Sequence, residues 1–401
     1  MNADQAAQWR GDDKRLAARR RRNRIRYHAI QFAIVGVAIV LVALFAVAVK
    51  DGLARHGIKF SFSFLGNAAG FDISEGRTFV IGEDSWPAFV GFTSNLSIAQ
   101  AFVTGIVNTI KVAVLAIVLS TLLGTLLGVG RLSTNWVARN LCFWCVEFVR
   151  NTPLLIQLVF WYFAVVLHFP PIATAAKFYG IVISQQGLYL PALVWQGGDS
   201  PYAIALGAVF FVALVGAFVE KIRPFRWFCI VALVAVPAVM FLAGIMELDF
   251  PVASKFKASG GTGISPEMAA LLLAIVFNSA SYIAEIVRGS IDALPKGQWE
   301  ASASLGLDRR STVNDIILPQ VFRVVLPSFG NQYISLTKNT ALGIAIGYPD
   351  LFNVYGTIAN QTGHSLEGIV IVMVSYLILS WIISAVVGWA DRRMARQGAM
   401  R

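Results

Sequence analysis

Residues 300–319, "EASASLGLDRRSTVNDIILP", are a polar island in a greasy chain. The stretch holds five charged residues and a central glycine, with long apolar runs close on both sides. "PKGQWEASASL", from Pro295, opens on a proline and continues in helix formers, which predicts one short helix. Gly306 suits the left-handed conformation that ends a helix. Asp308, with Ser311 three residues on, predicts a second cap and a helix running to Leu318, before Pro319. Ala301, Ser302 and Ala303 carry almost no side-chain bulk, and Glu300 places one charge beside them. Spacing alone leaves two readings open, a solvated loop helix or an element built to be held by a cytoplasmic partner.

Working outward, the chain has 401 residues, 57% hydrophobic and only 14% charged. Soluble globules average about 45–50% apolar and about 25% charged. The composition therefore predicts an all-α integral membrane protein. A net charge of +11 invites a nucleic-acid reading. The basic residues instead cluster beside apolar spans and form no groove with interleaved aromatics, so no nucleic-acid partner is expected.

A membrane helix needs about 20 mostly apolar residues. About eight candidates are found, at 29–49, 101–130, 142–168, 201–219, 227–246, 266–287, 322–347 and 368–389. Four carry polar residues, which should face inward because polar groups in hydrocarbon are costly. With the N-terminus inside, alternate loops and tails hold 23 Lys and Arg, against 7 outside. That asymmetry predicts both termini cytoplasmic. Residues 1–28 are then a basic cytoplasmic tail, 29–49 a first anchor and 50–100 a periplasmic segment. Residues 101–390 form the main transmembrane domain, with a hairpin at about 190–250 and a loop at 295–320. Residues 391–401 are a cytoplasmic tail. The first span exceeds a typical signal-peptide core, so an uncleaved anchor is expected. "KASGGTGISP", Lys257–Pro266, reads as a flexible connector.

Cys142 and Cys145 form "CFWC", a lone C-x-x-C in an apolar setting, read with Cys229 as membrane-helix cysteines. Gly124, Gly128 and Gly130 give a small-x-x-x-small face for close helix packing.

The spacing Glu300-Ala301-Ser302, then Gly306, then Ile316, Leu318 and Pro319, resembles the EAA loop of ABC-importer permeases, with Ser302 in place of the small alanine at the third position. "NTIKVAVLAIVLSTLLGTLLGVGRLS" (108–133), "VEFVRNTPLLIQLVFWYF" (146–163), "SYIAEIVRGSIDALPKGQWEA" (281–301) and "SLTKNTALG" (335–343) resemble the polar-amino-acid branch of that family. The long chain and extra hairpin are most similar to a membrane subunit of general L-amino-acid importers. The resemblance implies a type I ABC importer transmembrane domain with a five-helix core made of the second, third, sixth, seventh and eighth spans. It implies that Glu300, Ala301, Ser302, Gly306, Asp308, Ile316, Leu318 and Pro319 couple to an ATPase. It also implies two ATPase subunits, a second homologous permease forming a heterodimer, a periplasmic amino-acid-binding protein, and a bacterial inner-membrane location.

No G-x-x-x-x-G-K-[ST] exists in the chain, and "GVGRLST" lacks its lysine and spacing. ATP and Mg are therefore expected on a partner subunit, with no cofactor or metal on this chain. A zwitterion crossing a low-dielectric bundle needs polar partners. The candidates are Arg150, Asn151, Thr152, Gln157, Tyr282, Glu285, Lys338, Asn339 and Thr340. Arg150 or Lys338 would face the carboxylate and Glu285 the ammonium. The bland alternatives are snorkelling by Arg150, a helix break at Pro153, and pairing of Glu285 with Arg288. Two other classes compete, an ion-gradient-driven secondary transporter and a membrane enzyme. The four histidines are scattered without ligand spacing, which argues against the enzyme.

Overall fold

The computed structural model describes residues 26–45, 47–48, 51–52, 60–80, 88–196, 200–218, 226–308 and 311–399. Most of the basic N-terminal tail, Arg309, Arg310 and the 219–225 loop lie outside them. The chain divides into two units, Met1–Phe64 and Leu65–Arg401. The first contains helix α1, Arg26–Phe45.

The second unit opens with a hairpin of β1, Arg77–Val80, and β2, Ala88–Gly91. The long helix α2, Ile98–Arg131, follows, its start fixed by a capping box between Ser97 and Gln100. Next come α3, Trp136–Arg150, and α4, Leu154–Val159, which continues in wider and tighter turns to His168. A second apolar hairpin, α5 (Pro201–Phe218) and α6 (Arg226–Leu242), precedes α7, Pro266–Asp292. The remaining helices are α8 (Gly297–Ser304), α9 (Leu318–Asn339), α10 (Leu351–Thr362) and α11 (Ser365–Ala399).

Eight helical segments thus stand where eight spans are expected, but they are unequal. Among the described residues, α1, α2, α7 and α11 are each long and apolar enough to cross a bilayer alone. The expected third span, 142–168, is broken: α3 and the Leu154–His168 segment meet at 104°. Pro153 explains it, since proline cannot donate into a helix and restricts the residue before it.

The linkers flanking the α5–α6 hairpin are not plain connectors. Strands β3 (Ala176–Phe178), β4 (Ile181–Ser184) and β5 (Gly187–Leu190) precede the hairpin, as does β6 (Ala192–Trp195). Strands β7 (Met246–Asp249), β8 (Val252–Ala253), β9 (Ala258–Ser259) and β10 (Thr262–Ile264) follow it. β10 pairs with β5 and β7 with β6, so the two linkers zip into one small lobe. "KASGGTGISP" therefore carries two strands, with Gly260 and Gly261 supplying the positive-φ turn between them.

Helix α7 is the most enclosed, with 67% of its apolar window buried against 33% for α2. The two run parallel and nearly touch. A Cβ on Gly124 would lie 2.7 Å from the Ala280 carbonyl oxygen, and one on Gly128 2.7 Å from that of Ala284. Gly130 abuts the Cys142 sulfur in the same way. The glycine face is thus a packing device. Gly128→Val should lower the melting temperature of the detergent-solubilised protein by several degrees, since overpacking costs about 1–3 kcal/mol. Gly289→Ala, on the same contact helix but with open space around it, should be neutral or slightly stabilising. Equal losses from both would show that the crossing is not tight.

Candidate functional site

The break between α3 and α4 opens a cavity of about 570 Å³. Arg150, Asn151, Thr152, Pro153 and Leu154 supply one wall. Asn278 and Tyr282, about halfway along α7, supply a second. Gln332, Ser335 and Asn339 of α9, with Leu342, complete it.

The freed backbone at the break is satisfied by its own side chains. Asn151 donates to the Glu147 carbonyl at 2.8 Å and Thr152 to that of Phe148 at 2.8 Å. Gln157 turns inward and donates to the Val149 and Thr152 carbonyls, both at 2.8 Å. Gln157 therefore pins the wall from behind. The Arg150 guanidinium lies 5.6 Å from the Tyr282 ring centroid, and its buried Nε has no hydrogen-bond partner among the described residues. A buried donor left without a partner is costly.

Of the expected pathway residues, Arg150, Asn151, Thr152, Tyr282 and Asn339 meet around the cavity. Three others face elsewhere. Lys338 is exposed and outside the lining, while Thr340 is buried and donates to the Thr337 carbonyl at 2.8 Å. Glu285 sits in an ion cluster: Arg131 reaches it at 2.7 Å, Arg150 at 3.6 Å and Arg288 at 2.5 Å. Its pairing with Arg288, one of the bland readings, is present. Asn278, Gln332 and Ser335 also line the cavity, although they were not among the expected pathway residues. Gln332, Ser335 and Asn339 do recur at helical spacing, but Asn331, Thr337, Lys338 and Thr340 make the surrounding run polar too and blur that signal.

The 300–319 element is built much as its spacing predicts. α8 ends in a Schellman motif: Leu307 N–H donates to the Ser302 carbonyl at 3.1 Å and Gly306 N–H to that of Ala303 at 3.0 Å. Gly306 has φ +70°. Asp308 accepts from the Ser311 N–H at 3.4 Å. Two details differ from expectation. Ser302 faces inward and donates to the Gln298 carbonyl, leaving Ala301, Ala303, Glu300 and a 77% exposed Leu305 outside. The second helix does not stop before Pro319 either. A π-turn at Thr312–Ile317 widens the helix, and the chain passes through Pro319 into α9. A wide turn there relieves the carbonyl that proline cannot serve. Ile316 packs with Trp299 onto a buried cluster of Ile283, Val287, Ile317 and Val321, while Leu318 remains partly exposed.

A second buried network lies at the other end. Asp350, fully buried in the turn between α9 and α10, caps α10 through the Asn353 N–H at 2.9 Å and accepts from the Tyr376 hydroxyl at 3.2 Å. Asn108 donates to the Glu75 and Pro349 carbonyls at 2.9 and 2.8 Å, and Lys111 pairs with Glu75 at 2.7 Å. These contacts tie the segment before α2 to the α9–α10 turn.

With that geometry in view, residues 120–396 match the family described as the binding-protein-dependent transport system inner membrane component. The chain belongs to that family. It is 36% identical over 358 residues to the general L-amino acid transport system permease protein AapQ of Rhizobium johnstonii, covering 86% of each chain. It is 35% identical over 358 residues to the putative amino-acid ABC transporter permease YhdX of Escherichia coli, covering 86% of this chain and 87% of that one. A crystal structure of an amino acid ABC transporter with histidines aligns at TM-score 0.45 and 21% identity, over 74% of this chain and 94% of that one. Family membership makes the fold that of an importer permease, in an inner-membrane protein.

Burial pushes the Asp350 carboxyl up to about 6, against the pull of hydrogen bonds from the Asn353 and Phe352 N–H groups and the Tyr376 hydroxyl. Ionising it in the folded protein therefore costs about 3 kcal/mol more than in water. Because the folded value is raised, its stabilising effect is complete below about pH 4 and is lost as pH rises through about 6. Asp350→Asn keeps the cap and should flatten the stability curve between pH 4 and 7, raising the melting temperature only at the upper end. A curve with the wild-type slope would assign that titration to another group.

Proposed function

We propose that this chain is one permease of an ATP-driven importer of amino acids, broad in range among L-amino acids. It works with two ATPase subunits, a related second permease and a periplasmic binding protein. The observation that carries the reading is the 300–319 element, a turn of small and apolar residues offered to solvent and anchored from behind on α7 and α9. Relatives matched over most of the chain are named as amino-acid permeases, which supports the substrate class.

ATP and Mg belong to the partner subunits. Closure of the two ATPases would carry α8 with them and shift the bundle between inward-open and outward-open states. Such a shift needs only that ATP binds one state better. Glu300, Ala301 and Gly306 meet the ATPase cleft, and Asp308, Ile316, Leu318 and Pro319 keep the element's shape. A loaded binding protein would favour the outward-open state and release its amino acid there.

The cavity at the break is the transit site. Its size suits an amino acid. Arg150, which lines the cavity, receives the carboxylate. Among the described residues no carboxylate lines the cavity, so the ammonium meets the amide oxygens of Asn278, Asn339 and Gln332. Glu285 acts at one remove, by orienting Arg150.

Glu300→Ala combined with Gly306→Asp should uncouple the reconstituted importer. Binding-protein-stimulated ATP hydrolysis and uptake should both fall at least tenfold, at normal membrane abundance. Unchanged hydrolysis and uptake would refute the coupling role. For the cavity, Asn339→Leu should lower amino-acid uptake about tenfold while Lys338→Gln leaves it near wild type. The opposite pattern would move the path to the exposed face of α9.

A further inference from the structure

A second cavity, about 300 Å³, lies at the end of α2 that carries the basic residues, and the cavity described above does not include it. Arg131, Arg139, Asn140, Phe143 and Arg288 line it. Three guanidiniums and an amide converge there, and no carboxylate is among the lining residues. Its surroundings are unbalanced in charge. Arg131, Arg150 and Arg288 share Glu147, Glu285 and Asp292. Arg139 has no ion-pair partner among the described residues, leaving one positive charge over.

The position of α3 says what kind of anion fits. The last turn of α2 meets the middle of α3, Gly130 against Cys142 and the Arg131 guanidinium 5.2 Å from the Phe143 ring centroid. Helix α3 therefore crosses the end of α2 and then bends 104° into the next segment. Trp136, Val137, Leu141, Trp144 and Phe148 form an exposed apolar face along it, with the arginine cavity on its flank. An amphipathic helix of this kind lies in the membrane interface. Basic pockets at that depth on the cytoplasmic side hold anionic head groups.

We infer that this cavity binds the phosphodiester of an anionic phospholipid in the inner leaflet. Its single negative charge pairs with Arg139 and completes the cluster, while its acyl chains lie along the Trp136–Phe148 face.

The test uses the whole importer, purified with its partner subunits and examined by native mass spectrometry. Dioleoylphosphatidylglycerol and dioleoylphosphatidylcholine serve as probes, with inorganic phosphate as the competitor. The wild type should retain phosphatidylglycerol at least fivefold better than phosphatidylcholine. Arg139→Gln should abolish that preference, and Arg392→Gln, an exposed arginine on α11, should preserve it. Arg139→Lys should restore part of it, which separates loss of charge from misfolding. Displacement by millimolar inorganic phosphate would overturn the lipid assignment in favour of a soluble anion. Equal retention of both lipids, or cross-linking of Arg139→Cys to a second permease with no lipid bound, would overturn the site.

Discussion

The close crossing of α2 and α7 governs the rest of this molecule. Lipid offers no hydrophobic drive for two apolar helices to associate, so they hold through packing and polar contacts. Gly124 and Gly128 let the backbones approach, and Arg131, only 8% exposed in its side chain, locks the end through Glu285. A charge buried that far is tolerable only when paired, which makes the two helices a single strut. At the opposite end the Gly105 backbone lies against Leu351 and Asn108 holds Pro349, so the strut also fixes the turn that enters α10.

Given a fixed strut, the neighbouring segment can afford irregularity. Non-helical backbone is tolerated at membrane depth only where it is buried in protein or lines a cavity. The Asn151–Pro153 break meets that condition in two ways. Its carbonyls are served by Asn151, Thr152 and Gln157, and its open side faces Asn278, Tyr282 and Asn339 across the cavity. A continuous helix from 136 to 168 would fill this space. The arrangement also explains why Arg150 can be unpaired at Nε yet remain ordered by Glu285, Glu147 and Tyr282.

What the sequence made legible was local. Gly306 and Asp308 announce their turn and cap because both depend on residues a few places away. The glycine face and the proline break are likewise written in short spacings. The Arg131–Glu285 pair was not legible, because 154 positions separate the two residues and only the crossing brings them together. Asp350 went unnoticed for the same reason: its burial comes from α2 and Tyr376, not from its neighbours in the chain. The strand pairing of β10 with β5 joins segments separated by the whole α5–α6 hairpin, so no local pattern marks it.

The helices that anchor the 300–319 element are the ones that line the cavity, and this shared footing gives the proposed mechanism its physical content. Trp299 and Ile316 rest on Ile283, Val287 and Ile317, with Phe329 and Tyr333 in the same cluster. Asn278 and Tyr282 lie just along α7 from Ile283, and Gln332, Ser335 and Asn339 flank Tyr333 on α9. Close-packed interiors transmit displacement because they have little room to absorb it. A push on α8 would therefore reach the cavity wall through one layer of side chains, without a long relay. Tyr333 extends the contact further, since its hydroxyl lies 2.8 Å from Thr121 on α2. A push on α8 would thus reach the strut as well as the cavity wall.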